Sequence, residues 1–329
     1  MEKRVVGKSG IEISVMGIGG WSYGGGDYWG PQAQEDVDAV AHAALDNGIN
    51  FFDTAEGYNE GRSEEAVGRA LKGRRDEAVI ATKISPNNTE PTVLREHCEA
   101  SLDRLQTDYI DIYIVHWPIT EHSVEDAFAT LNALREEGKI RSIGVSNFGV
   151  EQLSEALATG VQLDVNQLCY NLLSRAIELE ILPLCQKNGM GILGYMPLLQ
   201  GLLTGMYKTA EELPPVHARF RQFRGDRERA GHGEEGAEEE MFAAVEGIRK
   251  VAEAEGVPMA RLAIAWTIAK PGITCELVGT RNLSELEQNL HVASLSLSPE
   301  TIAKLDEITT PLLQKLGANA DYFLARRTH

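Results

Sequence analysis

The chain has 329 residues, 43% of them apolar and 24% charged, a globular composition with enough apolar surface for a core that needs neither disulfides nor structural metal. A formal charge of −18 argues against a nucleic-acid partner, which requires a basic face, and leaves room only for a local basic pocket. The polar N-terminus and the shortness of every apolar run argue against a signal peptide and a membrane span, so a cytoplasmic protein is expected.

Residues 4–6 and 11–14 flank the turn Gly7-Lys8-Ser9-Gly10 and read as a hairpin. A strand over 15–19 follows, then a helix over 35–47 that stops at Asn47-Gly48, a left-handed C-terminal signal. The alternation repeats: strand 49–53, helix 63–71, strand 79–83, helix 92–105, strand 110–116, helix 124–137. It continues with strand 140–146, helix 150–159, strand 165–167, helix 176–188 and strand 192–196. A stretch of roughly 40 residues without a period then runs from Pro197 to about Glu238, a length that points to function. Its charge-rich part, from Arg219 to Glu240, also reads as a solvated, mobile surface. Helices over 239–254 and 259–269, a strand over 276–279 and a helix over 283–292 come next. An extra helix over 298–307 and a tail from Pro311 close the chain.

Near-continuous apolar strands suit a parallel sheet buried on both faces. Eight β units are the number a closed barrel needs. The expectation is therefore one α/β domain over 1–329. It would be a (β/α)8 TIM barrel with an N-terminal β-hairpin, a long loop after strand 7, and a C-terminal extra helix and tail.

In such a barrel the chemistry sits at the C-terminal strand ends. Those ends carry Gly19-Gly20-Trp21, Asp53, Lys83, His116, Ser146-Asn147, Gln167, Tyr195 and Gly279-Thr280-Arg281. Asp53 alone is as consistent with a cap as with catalysis. An Asp, a Lys and a His at three successive strand ends form a convergent ionisable cluster. The Asp would keep the ammonium charged, and the ammonium would lower the pKa of a nearby phenol towards neutrality. Tyr58, five residues after Asp53, is placed to be that phenol, with His116 orienting a carbonyl oxygen. Trp21, Tyr23, Tyr28, Trp29 and Trp117 are candidates to line a substrate pocket.

Phe51-Phe52-Asp53-Thr54-Ala55-Glu56-Gly57-Tyr58, Ala81-Thr82-Lys83, His116-Trp117-Pro118 and Gly144-Val145-Ser146-Asn147-Phe148 together resemble the aldo-keto reductase family. So do Gly194-Tyr195-Met196-Pro197 and Gly201-Leu202-Leu203-Thr204-Gly205, in the right order. The resemblance runs from about Arg4 to Glu307 and is nearest to bacterial members with the His-Trp-Pro sequence. It implies a nicotinamide-dependent oxidoreductase that interconverts aldehydes or ketones and alcohols, with Asp53, Tyr58, Lys83 and His116 as catalytic residues and Tyr58 as acid/base. It further implies that Ser146, Asn147 and Gln167 hold the nicotinamide carboxamide and that Tyr195 stacks on its ring. Gly20, Trp21, Pro197, Leu198, Gly201, Leu202 and Gly279 would flank the cofactor. Arg281, Gln288 and Asn289 would grip its adenosine end. Glu285 stands where the family usually has Arg or Gln. Arg281 favours NADPH and Glu285 NADH, so NADPH is expected, with NADH possible.

Other readings fit less well. Met16-Gly17-Ile18-Gly19-Gly20-Trp21-Ser22 lacks the third glycine of a Rossmann fingerprint, and no helix follows until about Glu35. No histidine pair has metal-site spacing, and the four cysteines, Cys98, Cys169, Cys185 and Cys275, have no zinc-type spacing, so no metal is expected. A cofactor-binding regulatory or redox-sensing subunit with little catalysis is the alternative. A barrel isomerase using Lys83 as a Schiff base is a third reading. The expected partner is a small carbonyl or alcohol. Neither its identity nor an oligomeric state follows from the sequence.

Overall fold

Strands rich in Val and Ile, with no polar alternation, need apolar cover on both faces, and here they obtain it by closing on themselves. The structure, a computed structural model, describes residues 1–292 and 295–322. Eight parallel strands form the barrel: β3 (Met16–Gly19), β4 (Phe51–Asp53), β5 (Val79–Ile84), β6 (Ile110–Val115), β7 (Ile140–Ser146), β8 (Val165–Cys169), β9 (Gly191–Tyr195) and β10 (Ile273–Gly279). Closure pairs β10 with β3, Glu276 standing opposite Met16 and Gly279 opposite Gly19. This is the (β/α)8 barrel that the alternation predicts.

The hairpin β1 (Lys3–Val5) and β2 (Glu12–Ser14) precedes the barrel and covers its N-terminal end. Val6, Ile11 and Ile13 are buried in one cluster with the inward residues Phe51, Ala81, Ile112, Ile114, Val165, Leu193 and Leu277. The barrel interior is thus a packed plug of branched side chains. A second, larger core lies between the sheet and the surrounding helices.

The helices between strands are α1 (Gln34–Asp46), α2 (Arg62–Ala70), α3 (Pro91–Leu105), α4 (Val124–Glu136), α5 (Val150–Ala158) and α6 (Ile181–Asn188). Those after β9 are α7 (Glu238–Glu255), α8 (Met259–Ala269), α9 (Leu283–Leu290) and α10 (Pro299–Leu316). No helix among the described residues is long and apolar enough to cross a membrane.

Three expectations about the elements need correction. The helix expected over 176–188 is broken: a 3-10 turn covers Ala176–Glu178 and α6 starts only at Ile181. Pro183 lacks an N–H and is tolerated in a first turn, so the helix restarts just ahead of it. The extra helix does not stop near Glu307 but continues through Pro311 to Leu316, because Leu312 and Leu316 bury their side chains on its inner face. The expected tail therefore starts only at Gly317, and its last residues, 323–329, lie outside the described residues. The segment from Arg219 to Glu240 is a solvated surface only in part: Arg224, Asp226, Glu228 and Arg229 are exposed, whereas residues 220–223 are buried. Phe220 and Phe223 are fully buried, and Gln222 donates to the Leu173 carbonyl and the Ser174 hydroxyl. Arg221 donates to the carbonyls of Asn319 and Leu316, fastening this loop to the chain after α10.

Glu276 is the odd residue of the sheet. It points outward from β10 into the layer beneath α8, fully buried, and no donor among the described residues reaches either oxygen. The neighbouring Thr267 hydroxyl donates instead to the Ile264 carbonyl. Gly194 makes the space, since a Cβ there would lie 2.1 Å from Glu276 Oε2. Burial pushes this carboxyl well above its usual range, so it is protonated in the folded chain over a pH range where the unfolded chain ionises it. The native state then binds more protons than the unfolded one, and stability falls as pH rises past the unfolded carboxyl pKa. Glu276→Gln is expected to remove that slope. Its Tm should gain on the wild type by several degrees between about pH 5 and about pH 8, as read by thermal melts. Parallel Tm–pH curves for the two proteins would refute the assignment.

Candidate active site

Parallel strands deliver all their C-terminal ends to one face, so the polar residues that end them converge there. Asp53 closes β4, Lys83 lies one residue before the end of β5, His116 follows β6, Ser146 closes β7 and Tyr195 closes β9. Gln167 is in the middle of β8, and Tyr58 opens a 3-10 turn over Tyr58–Gly61.

Lys83 is fully buried and its ammonium donates in three directions: to Asp53 Oδ1 at 2.6 Å, the Thr54 carbonyl at 2.7 Å and the Tyr58 hydroxyl at 3.3 Å. An ammonium has three protons, so every one is used. The other oxygen of Asp53 accepts from Gln167 Nε2 at 2.8 Å. Burial works against the ammonium. The Asp53 charge and the bonds to Asp53 and Tyr58 outweigh it and hold Lys83 above its usual value.

The phenol behaves differently from the expectation. Burial raises the Tyr58 pKa, Lys83 draws it back down, and the balance stays above the usual value. Desolvation of a phenolate is the larger effect, so Tyr58 carries its proton at neutral pH. The His116 imidazole is pushed well below its usual value, first by burial and then by the Lys83 charge, so it is neutral at pH 7. It meets the Tyr58 ring edge-on, with centroids 5.5 Å apart.

A second chain of hydrogen bonds runs along the neighbouring strand ends. Tyr195 donates its hydroxyl to Asn147 Oδ1 at 2.7 Å. Asn147 Nδ2 donates to Ser146 Oγ and to the His116 carbonyl, and Ser146 Oγ donates to the Gln167 carbonyl. Asn147 adopts φ 62°, an uncommon backbone for a residue other than glycine.

These groups face a cavity of about 680 Å³. Its wall contains Asp53, Tyr58, His116, Ser146, Asn147, Gln167 and Tyr195, together with Trp21, Trp29 and Trp117. It extends past Pro197, Leu198 and Gly201 to Gly279, Arg281 and Glu285. Lys83 lies behind the wall, bonded to the wall residues Asp53 and Tyr58. Trp21 stacks on Tyr28 at 5.4 Å, meets Trp29 edge-on at 5.2 Å and lies 6.3 Å from Tyr58.

Several expected site residues stand elsewhere. Tyr23 does not line the cavity: it is buried, with its hydroxyl donating to the Thr280 carbonyl. Tyr28 is 40% exposed and backs Trp21 from outside. Gly20 sits beneath the wall, where its carbonyl accepts from Ser63 Oγ. Leu202 is buried in the core behind Gly201. Gln288 is exposed and is not part of the cavity wall, and Asn289 Nδ2 donates to Thr280 Oγ1. Sequence reasoning missed Arg219, Met196, Leu199 and Gln200, which also line the cavity. The last three adjoin positions it identified, so contiguity was a usable signal. Arg219 lies in a segment with no period and had none.

Arg281 and Glu285 reach the wall with their polar atoms already engaged. The Arg281 guanidinium donates to Gln32 Oε1, the Trp29 carbonyl and the Pro31 carbonyl at 2.8–2.9 Å. Glu285 accepts from the Arg281 backbone N–H at 2.8 Å and from Asn282 Nδ2 at 3.0 Å. The carboxylate therefore caps its own turn.

Comparison with known proteins places this geometry. The model of the Aldo/keto reductase family matches residues 15–310. The chain is 36% identical over 313 residues to the Bacillus subtilis (strain 168) aldo-keto reductase YhdN, covering 91% of each. It is 33% identical over 336 residues to the NADH-specific methylglyoxal reductase of Escherichia coli (strain K12), covering 95% of this chain and 99% of that protein. Among solved structures, an aldo/keto reductase from Klebsiella pneumoniae in complex with NADP and acetate superposes with a TM-score of 0.74 at 28% identity, covering 100% of this chain and 98% of that one. The barrel, the arrangement at its mouth and these matches lead to one conclusion: the chain belongs to the aldo/keto reductase family.

Proposed function

We propose that this protein is an NADPH-dependent carbonyl reductase, able to use NADH and to run in the alcohol-oxidising direction, with Tyr58 as its acid/base. The observation that carries the proposal is the fully engaged ammonium of Lys83, which holds Asp53, Thr54 and the Tyr58 hydroxyl around one buried charge at the cavity wall. The cavity suits a dinucleotide. Gly279 lines it, and a Cβ there would meet nothing within 4 Å, so the backbone lies open to a ligand. Ser146, Asn147 and Gln167 offer amide and hydroxyl groups for a carboxamide, and Tyr195 offers a ring beside them. When bound, the cofactor supplies the hydride.

The remaining chemistry is the chain's own. A carbonyl oxygen held between the Tyr58 hydroxyl and the neutral His116 ring receives two hydrogen bonds where negative charge develops. Tyr58 then gives its proton to that oxygen as the alcohol forms. Lys83, 4.7 Å from the Tyr58 ring centroid, stabilises the phenolate left behind. Asp53 keeps Lys83 charged, and Gln167 keeps Asp53 in place. In reverse, the phenolate takes the proton of an alcohol.

Tyr58→Phe is expected to lower the single-turnover rate of carbonyl reduction by about 10²–10⁴-fold while dinucleotide affinity, read by tryptophan fluorescence, stays within a few-fold. Wild-type turnover in that variant would end the proposal. Dinucleotide binding with no turnover in the wild type would instead favour a regulatory subunit. Lys83→Met removes the charge that lowers the Tyr58 pKa, so the phenol holds its proton to higher pH. Alcohol oxidation needs the phenolate, and its pH–rate curve should therefore rise at higher pH than in the wild type. An unmoved curve would show that Lys83 does not tune Tyr58. Glu285→Gln removes a negative charge from the wall and should shift the ratio of dissociation constants several-fold towards NADPH. That gain should shrink as salt is added, because the site lies near solvent. An unchanged ratio would mean that the carboxylate acts only as a cap.

A further inference from the structure

The segment that carries Trp29 into the cavity wall is fastened to the start of α9 by a set of contacts that meet at Arg281. The guanidinium donates through Nε to Gln32 Oε1, through Nη1 to the Trp29 carbonyl and through Nη2 to the Pro31 carbonyl. Gln32 closes a reciprocal pair, because its Nε2 donates back to the Arg281 carbonyl at 3.0 Å. The Arg281 N–H is held in turn by Glu285, and Tyr23 reaches the adjoining Thr280 carbonyl from the same loop. From there the contacts continue to the catalytic turn, where Asn59 Nδ2 donates to the carbonyls of Trp21 and Tyr23, one residue from Tyr58.

A guanidinium carries five N–H bonds in a rigid fork. Three are used on the loop, which leaves one on each terminal nitrogen, and Arg281 lines the cavity. We infer that Arg281 is a shared strut, gripping the 2′-phosphate of a dinucleotide and the segment 29–32 at the same time, so that the phosphate tightens the loop bearing Trp29 while a 2′-hydroxyl does not. Gln32 is then a positioning residue for cofactor choice: it does not line the cavity, and it fixes the guanidinium from behind. The coupling is reciprocal, so a loop held by Gln32 favours the phosphate just as the phosphate favours the held loop. The inference rests on reading the cavity as a dinucleotide site.

Hydrogen exchange of residues 24–33, followed by mass spectrometry with saturating NADP⁺ or NAD⁺, tests it beside dissociation constants from tryptophan fluorescence. NADP⁺ is expected to slow exchange in this segment several-fold more than NAD⁺, and Arg281→Ala should erase the difference. Gln32→Leu should weaken NADP⁺ binding several-fold and leave NAD⁺ binding unchanged. Equal protection by the two cofactors in the wild type, or looser exchange with NADP⁺, would overturn the inference. So would an unchanged ratio of dissociation constants in Gln32→Leu. The wild-type exchange measurement decides the matter even if a variant does not fold. Binding of neither dinucleotide would overturn the reading of the cavity and this inference with it, whereas binding of both with equal protection would overturn the strut alone.

Discussion

An ammonium group with no solvent contact is stable only where acceptors surround it, and Lys83 has an acceptor for each of its protons. That requirement organises the mouth of the barrel. It fixes the end of β4 through Asp53, the turn after it through Thr54 and the phenol of Tyr58. Gln167 is drawn in from β8 because Asp53 has a second oxygen to satisfy. Burial, reinforced by the same charge, keeps the His116 ring neutral, and the charge tempers the rise that burial imposes on the phenol. One buried cation thus acts, together with burial, on the protonation of Tyr58, His116 and Asp53.

Holding these groups requires strained backbone around them. Among the described residues, seven other than glycine have positive φ, and six of them, Asn59, Glu60, Asn147, Met196, Leu199 and Gln200, belong to the loops around the cavity. Each such residue costs of the order of 1 kcal/mol and persists only where its surroundings over-determine it. The over-determination is visible: Asn59 is tied to two carbonyls, and Asn147 is tied through its side chain to three neighbours. The barrel supplies the rigidity, and its loops carry the strain.

The sequence was most legible where physics leaves the least freedom. Strands of a closed parallel barrel must be apolar throughout, so the polar residues that end them stand out. Asp53, Lys83 and His116 were readable on that ground alone. Helix ends followed from glycine where a left-handed residue was needed, but not where packing overrode local signals, as when α10 runs through Pro311 to bury Leu316. Loops have no period, and there the reading was uneven: Trp29, Trp117 and Pro197 line the cavity as expected, whereas Tyr23 and Leu202 do not. Nothing distinguishes Tyr23, buried against Thr280, from Trp29, which lines the cavity, except where a turn aims them. The charge of the segment from Arg219 to Glu240 suggested solvent, yet Arg221 uses its charge to bind backbone carbonyls in the interior. Arg281 looked like a ligand for phosphate alone, and its three contacts to the segment 29–32 are between residues about 250 positions apart.

The hairpin that covers the bottom of the barrel has a consequence for how the chain comes to be folded. Arg4 donates to the carbonyls of Ile268 and Ile273, the latter 269 positions later in the chain, and β3 finds its second neighbour only in β10. During synthesis β3 therefore waits, with one edge unpaired, until β10 has left the ribosome. Contacts of such long range make closure a late and slow event. The nascent protein is thus at its most vulnerable to association with other chains just before its last strand arrives, and the final pairing seals the edge and the floor of the barrel in one step.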